Sequence, residues 1–264
     1  SGTSVEGIAP HLVHFTNLST GDYDTCDWTF GDGRTSDVCG DLDHTYDAAG
    51  FYTVTLAVSG LGGADTITRS TYITVHTAVD AAFSAAPTSG SATLDVTFTN
   101  QSTGEFDTCA WAFGDGGAST SCGNPQHGYA TPGTYTVTLT VSGPGGSDTE
   151  TKVDYITVYE PSVADFSGAP TSGPAALTVD FDDLSAGDYD TCAWAFGDGG
   201  TSASCDPADH SYVSPGTYTV TLTVSGLGGE DTETKADYIT VYDPVMAAFS
   251  GTPTAGSAPL TVAL

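Results

Sequence analysis

The chain has 264 residues with 33 acidic and only 4 basic side chains, a formal charge of −29, which excludes nucleic-acid binding because phosphate contacts need clustered Lys and Arg. Arg34, Arg69, Lys152 and Lys235 stand singly, and the same scarcity argues against docking on anionic lipid surfaces. No apolar run reaches the ~18–20 residues of a membrane-spanning helix, and a charged share of 14% beside abundant Gly, Ser, Thr and Ala reads as a β-rich extracellular composition.

The chain opens Ser1-Gly2-Thr3-Ser4, without a charged-then-apolar leader. Along it, Trp28, Trp111 and Trp194 recur at a spacing of 83, as do Phe30, Phe113 and Phe196, Tyr52, Tyr135 and Tyr218, and Tyr72, Tyr155 and Tyr238. A unit of this length is long for a solenoid repeat and suits a small independent domain. The expected organisation is a first domain at 1–79 whose opening strand is missing, a second at 80–162, a third at 163–245, and a remainder at 246–264.

Taken in order through the second copy, the elements are short and two-periodic. An Ala-Ala-Phe strand at 81–83 precedes the breaker Ala-Pro-Thr-Ser-Gly at 86–90, and Leu94, Val96 and Phe98 then alternate with polar residues. After the Cys109–Phe113 segment come Gly-Asp-Gly at 114–116 and Thr-Pro-Gly at 131–133. Tyr135, Val137, Leu139 and Val141 then alternate with Thr, and Gly-Pro-Gly-Gly closes at 143–146. One buried face per strand follows from that period, and no stretch holds a 3.6 period. About seven short strands per unit with a Trp on a central strand predict an all-β fold: a tandem array of immunoglobulin-like sandwiches.

The motif string is distinctive. Tyr-Asp-Thr-Cys-Asp-Trp-Thr-Phe-Gly-Asp-Gly at 23–33 and Trp-Ala-Phe-Gly-Asp-Gly at 111–116 and 194–199 are followed by His-Thr-Tyr at 44–46, His-Gly-Tyr at 127–129 and His-Ser-Tyr at 210–212, then Gly-x-Tyr-Thr-Val-Thr-Leu-x-Val. All three copies closely resemble the PKD (polycystic kidney disease) domain. That resemblance implies a seven-strand sandwich used in extracellular and cell-surface proteins. The family's usual Trp-Asp-Phe is Trp-Thr-Phe or Trp-Ala-Phe here, at Thr29, Ala112 and Ala195, so any hydrogen bond that Asp makes in relatives is absent.

The six cysteines keep the same period. If Asp32-Gly33 is a two-residue hairpin turn, residues whose numbers total 65 face one another, as Cys26 and Cys39 do. The same rule pairs Cys109 with Cys122 and Cys192 with Cys205. Three disulfides are expected, each worth roughly 3 kcal/mol on the chain-entropy argument, and they imply an oxidising compartment, extracellular or at the cell surface. Free thiols or a metal site are the competing readings, yet no Cys-x-x-Cys occurs.

No Gly-x-Ser-x-Gly, His-Glu-x-x-His, P-loop or dinucleotide motif is present, so the chain is not expected to be an enzyme. Gly31-Asp32-Gly33 and its copies read as turns. His44, His127 and His210 recur in every copy and read as structural hydrogen-bonding groups, while His11, His14 and His76 have no counterparts and read as surface residues. An acidic-aromatic-Asp triplet also recurs, at Asp22-Tyr23-Asp24, Glu105-Phe106-Asp107 and Asp188-Tyr189-Asp190. Its paired carboxylates, Asp22 with Asp24, Glu105 with Asp107 and Asp188 with Asp190, are candidate calcium ligands, although calcium takes six or more oxygens. A solvated acidic loop and a sugar-stacking aromatic are the other readings, and no other cofactor is expected.

Asn17-Leu18-Ser19 and Asn100-Gln101-Ser102 are N-glycosylation sequons, making Asn17 and Asn100 candidate glycan sites. The third copy has Asp183, which a turn-capping role explains equally in all three. Thr rows at 53–55, 134–140 and 217–223 offer further hydroxyls.

Residues 246–264 match 80–98, with Phe249 at the position of Phe83 and Leu260, Val262 and Leu264 at those of Leu94, Val96 and Phe98. Two readings stay open: the opening strands of a fourth repeat in a longer array, or a donor segment that completes the first domain of the next subunit. Donation would propagate a head-to-tail fibre. The five residues between Val158 and Ala164 include Pro161 and predict neighbouring domains stacked as a semi-rigid, extended rod.

The functional expectation is a non-catalytic structural or adhesive extracellular protein, a fibre or cell-surface stalk. The alternative is a set of spacer, carbohydrate-binding or calcium-binding modules in a larger secreted hydrolase.

Overall fold

The computed structural model describes residues 2–206, 209–252, 254–259 and 261. All regular structure among them is β. The chain divides into two compact units, one with the first two sandwiches, ending at Val158 and leaving out Gly90–Ala92, and one with Gly90–Ala92 and the third sandwich from Tyr159.

Each sandwich pairs a three-stranded sheet with a five-stranded one. In the third, Phe166–Ala169, Leu177–Asp183 and His210–Tyr212 form the smaller sheet. The larger runs Ser172–Pro174, Gly229–Tyr242, Gly216–Gly226, Thr191–Ala195, Thr201–Ser202. The opening strand divides at Pro170, which has no N–H to continue a ladder. Its first half pairs antiparallel with Leu177–Asp183, and its second half runs parallel to the last strand, with Ser172 opposite Thr240. In the first sandwich, whose opening strand was expected to be missing, the same two parts are present: Gly2–Thr3, with Gly2 opposite Phe15 and Thr3 opposite His14, and Glu6–Ile8, parallel to the last strand with Glu6 opposite Thr74.

The two-residue period places the core between the sheets. In the third sandwich Val179, Phe181, Trp194, Tyr212, Leu222, Val224 and Ile239 are all buried. Burying each large apolar side chain is worth roughly 1.5–3 kcal/mol. The Trp194 ring meets Phe166 at 5.2 Å and Phe181 at 5.6 Å, and its indole N–H donates to the Ser204 carbonyl at 3.0 Å. The Tyr212 hydroxyl donates to the Phe196 carbonyl at 3.0 Å, so its one polar atom is satisfied inside the core.

The three disulfides form as the spacing predicts, each with Cα atoms 5.2 Å apart. The turn that was to align them is different. Trp28 faces Ser36 and Thr29 faces Thr35, so the ladder is offset by one residue from a turn centred on Asp32-Gly33, and the Phe30 N–H closes the loop on the Arg34 carbonyl. Gly31 and Gly33 both have positive φ, and a Cβ on Gly31 would lie 2.6 Å from the Thr53 carbonyl oxygen. The second strand leaves the ladder after Ser36. Trp28 donates its indole N–H to Val38 there, and this bend returns Cys39 to Cys26.

The Thr rows have a structural task as well. Where the ladder bulges between Tyr135 and Val137, Asp154 adopts φ 50° and its N–H donates to Thr136 Oγ1 at 3.2 Å. Thr71 on Thr53 and Asp237 on Thr219 repeat the arrangement.

Candidate functional site

The repeated Asp and His form a pair in each domain. His44 Nε2 donates to Asp32 Oδ2 at 2.9 Å, His127 to Asp115 at 2.7 Å and His210 to Asp198 at 2.8 Å. Each imidazole lies flat on a core phenylalanine, with centroids 3.8–4.3 Å apart for Phe30, Phe113 and Phe196. Burial raises the pKa of the Asp115 carboxyl, but hydrogen bonds from the His127 ring and the Gly117 N–H outweigh it and leave the carboxyl below its ordinary range. The pair fastens the Gly-Asp-Gly turn to the core.

In the second and third domains the first member of the acidic triplet caps linker backbone. Glu105 Oε1 accepts the Thr77 N–H at 3.1 Å, and the Glu105 N–H returns to the Thr77 carbonyl at 3.2 Å. Asp188 Oδ2 accepts the Glu160 N–H at 2.7 Å, and the Asp188 N–H donates to the Glu160 carbonyl at 3.1 Å. Asp22 contributes its carbonyl to the Gly62 N–H. The Asp24, Asp107 and Asp190 N–H groups donate to the carbonyls of Ser59, Ser142 and Ser225. Among the described residues the triplets gather no three side-chain ligands. Asp183 with Cys192 and Cys205 does lie close together, but its sulfurs are joined as a disulfide.

His76 is not the surface residue expected from the sequence. It is 9% exposed, with Nδ1 2.7 Å from Glu105 and Nε2 2.9 Å from Glu6. Carboxylates can only accept here, so both ring nitrogens carry hydrogen and the ring is an imidazolium. Hydrogen bonds to Glu105 and Glu6 raise the His76 pKa, and the bond from His76 lowers that of Glu105. This contribution to stability is therefore complete below the ordinary histidine pKa of about 6.5 and is lost as pH rises through the raised value. NMR titration of the imidazole should place its midpoint above the ordinary histidine value of about 6.5, and Glu105→Gln should lower it. His76 was missed because it lacks a periodic counterpart.

Asn17 and Asn100 hold turns. Each Oδ1 accepts the N–H two residues on, at Ser19 (2.9 Å) and Ser102 (3.0 Å), and each Nδ2 donates to the carbonyl of the second cysteine, Cys39 at 2.8 Å and Cys122 at 3.0 Å. Asp183 accepts from Ser185 in the same way. Both asparagines are half-buried, and a glycan would replace one of the two hydrogens on the nitrogen that fastens the disulfide loop.

The strongest recognition feature is a site for the opening strand. In the second domain Asp148 Oδ2 accepts the Ala81 N–H at 2.7 Å, Ser102 Oγ accepts the Ala82 N–H at 3.1 Å and Glu150 accepts the Phe83 N–H at 2.9 Å. The Phe83 ring packs edge-on to Trp111 and Tyr155 beneath the Lys152 ammonium. In the third, Asp231 accepts from Ala164 at 2.8 Å and Ser185 from Asp165 at 3.1 Å, while Phe166 packs on Trp194 and Tyr238 under Lys235. The first domain has the counterparts Asp65, Ser19, Trp28, Tyr72 and Arg69, with the Arg69 guanidinium 4.9 Å from the centre of the Tyr72 ring. The acidic position 65, 148 and 231 is periodic, so the repeat could have revealed this site. Of residues 246–264, expected to be opening strands of a fourth repeat or a donor segment, Phe249 is 92% exposed, and residues 243–250 form no strand. Leu260, Val262 and Leu264 lie outside the described residues.

Comparison with known proteins extends the repeat. The profile of the PKD domain matches residues 7–75, 77–158 and 161–241. Among solved structures the chain is similar to the I-band fragment I67-I69 from titin, with a TM-score of 0.60 and 13% identity over 91% of this chain and 96% of that one. A variant of the same three-immunoglobulin titin fragment gives a TM-score of 0.58 and 12% identity over 89% and 94%. At such identities the likeness is one of fold.

Proposed function

The chain belongs to the PKD domain family, and from that premise we propose that it is a non-catalytic structural or adhesive protein, extracellular or at the cell surface, whose tandem domains build a fibre or stalk. The observation that carries the reading is how the polar chemistry is used. Asp–His pairs fasten turns, triplet carboxylates cap linker backbone, and asparagines fasten disulfide loops, each once per domain or in corresponding places. Catalysis needs nucleophile, base and oxyanion donors converging at one place. Here the groups are distributed and engaged in holding the chain. Disulfides in every domain support an oxidising location.

Head-to-tail association into a fibre is part of the proposal, on the ground that like domains recur in tandem. Electron microscopy of the native material tests it. Fibres built of stacked domains are expected, whereas a discrete particle bearing a large additional domain would replace this reading with that of a spacer in a secreted hydrolase. Calcium is expected to leave the melting temperature unchanged, because Glu105 and Asp188 already accept linker N–H groups. A clear rise in calorimetry at millimolar calcium would restore the triplets as ligands.

A further inference from the structure

The first two sandwiches lie in one compact unit, and the linker between them is fastened to the second. The Val79 N–H donates to the Gly145 carbonyl at 3.1 Å, and a Cβ on Gly145 or on Gly104 would lie 2.1 Å from the carbonyl oxygen of Thr77 or Ala78. Across the joint, Ile8 of the first domain meets the 143–146 turn of the second, where a Cβ on Gly146 would stand 3.0 Å from its Cδ1. His76 ends the last strand of the first domain opposite Ile8. Its Nε2 bonds Glu6 in the first domain and its Nδ1 bonds Glu105 in the second. We propose that this ring is a proton-operated latch on the joint: charged, it ties the two domains through both carboxylates, and neutral, it lets the joint loosen.

The direction follows from the donor count. A neutral imidazole has one N–H, so on loss of the proton one carboxylate faces a lone pair instead of a donor. Glu6 and Glu105 are then two negative groups on an uncharged ring, and repulsion replaces two ion pairs. The surroundings offer no substitute cation. The elements that meet at the joint carry Asp80 in the linker, Asp107 in the triplet and Asp148 beyond the turn, all acidic, while Gly50–Gly60 and residues 143–146 carry no charge. His11, whose ring lies against Gly7, is engaged by the Ser4 carbonyl at 2.6 Å. Arg34 is paired with Asp47, Arg69 lies over Tyr72, Lys152 is paired with Glu150 and Lys235 with Asp165. Hydrogen bonds to Glu105 and Glu6 raise the His76 pKa, so the latch is closed at acidic pH and opens as pH rises through that raised value. Glu105 Oε1 still accepts the Thr77 N–H in the open state, so the joint slackens without parting.

The device belongs to this joint alone. Tyr159 and Ser89 stand 83 residues beyond His76 and Glu6, whereas Asp188 keeps the backbone cap on Glu160. The cap is therefore common to both linkers, and the imidazolium is added at the first.

The test uses the 264-residue chain in EDTA, so that calcium plays no part, with NMR residual dipolar couplings measured at pH about 5.5 and about 9, on either side of the titration. At the lower pH, couplings from the first and second domains should fit one alignment tensor. At the higher pH two should be needed, and the midpoint of the change should coincide with that of the His76 ring. The Thr77 and Glu105 amides should exchange roughly ten-fold faster above it, after correction for intrinsic pH dependence, the effect of losing a charged hydrogen bond. His76→Tyr, which installs the residue found at positions 159 and 242, should abolish the response with the circular dichroism spectrum unchanged. Glu6→Gln, at an exposed position, should lower the ring and joint midpoints together. One tensor at both pH values, a joint midpoint apart from that of His76, an undiminished response in His76→Tyr, or a shift of one midpoint without the other in Glu6→Gln would overturn the proposal. None of these readouts involves association between chains, so the latch and the fibre stand or fall separately.

Discussion

Trp194→Ala is expected to destabilise the third domain by about 3–5 kcal/mol, the range for removing a large aromatic from a packed core. Trp194 is 2% exposed and touches the rings of Phe166, Phe181 and Phe196. Truncation therefore opens a cavity between the sheets, and it also leaves the Ser204 carbonyl without the indole N–H that it accepts. For a domain of this size the corresponding fall in melting temperature is at least about 12 °C. The third domain forms its own compact unit and core cluster. In calorimetry its transition should move while the transitions of the first two domains stay in place. A uniform shift of all transitions would mean that the cores are energetically continuous.

Removing the Cys109–Cys122 disulfide, as the double variant Cys109→Ala/Cys122→Ala, should cost about 3 kcal/mol, since the bond closes a short loop of the unfolded chain. The sequence separation is 13. The loop also carries Ser121, whose carbonyl accepts the Trp111 indole N–H at 2.9 Å, and Cys122, whose carbonyl accepts from Asn100. Loosening it releases both attachments, so the cost should reach or exceed the entropic figure. Chemical denaturation of the variant measures it, and a loss under about 1 kcal/mol would show that these hydrogen bonds hold the loop unaided. Asn100→Asp, the residue that the third copy has at position 183, should be tolerated far better, because its Oδ1 can still accept the Ser102 N–H.

Much of this architecture was legible because a domain repeated three times states its own rules. Side chains that recur every 83 residues are required by each fold separately, and the period of two assigns Val137, Leu139 and Val141 to the core without any knowledge of their partners. The disulfide pairs were legible too, but through a turn of the wrong length. Sequence reasoning took Asp32-Gly33 as the whole turn. The close approach of Gly31 to Thr53, remote in the chain, and the hydrogen bond of Trp28 to Val38 on the far limb of the loop set a longer one.

The amino-acid order alone determined the fold class, the domain period, the buried faces and the covalent pairs, because these depend on alternation and recurrence, which are local or periodic. Tertiary structure decided the use of the polar groups. Whether Glu105 is a metal ligand or a cap for Thr77, whether His76 is exposed or held between two carboxylates, and whether Asp148 accepts the Ala81 N–H all depend on which backbone groups and charges arrive from elsewhere. A hydrogen bond is specified by distance and direction between atoms that the chain brings together only on folding, so a residue's type announces its capacity and its neighbours in space assign its task.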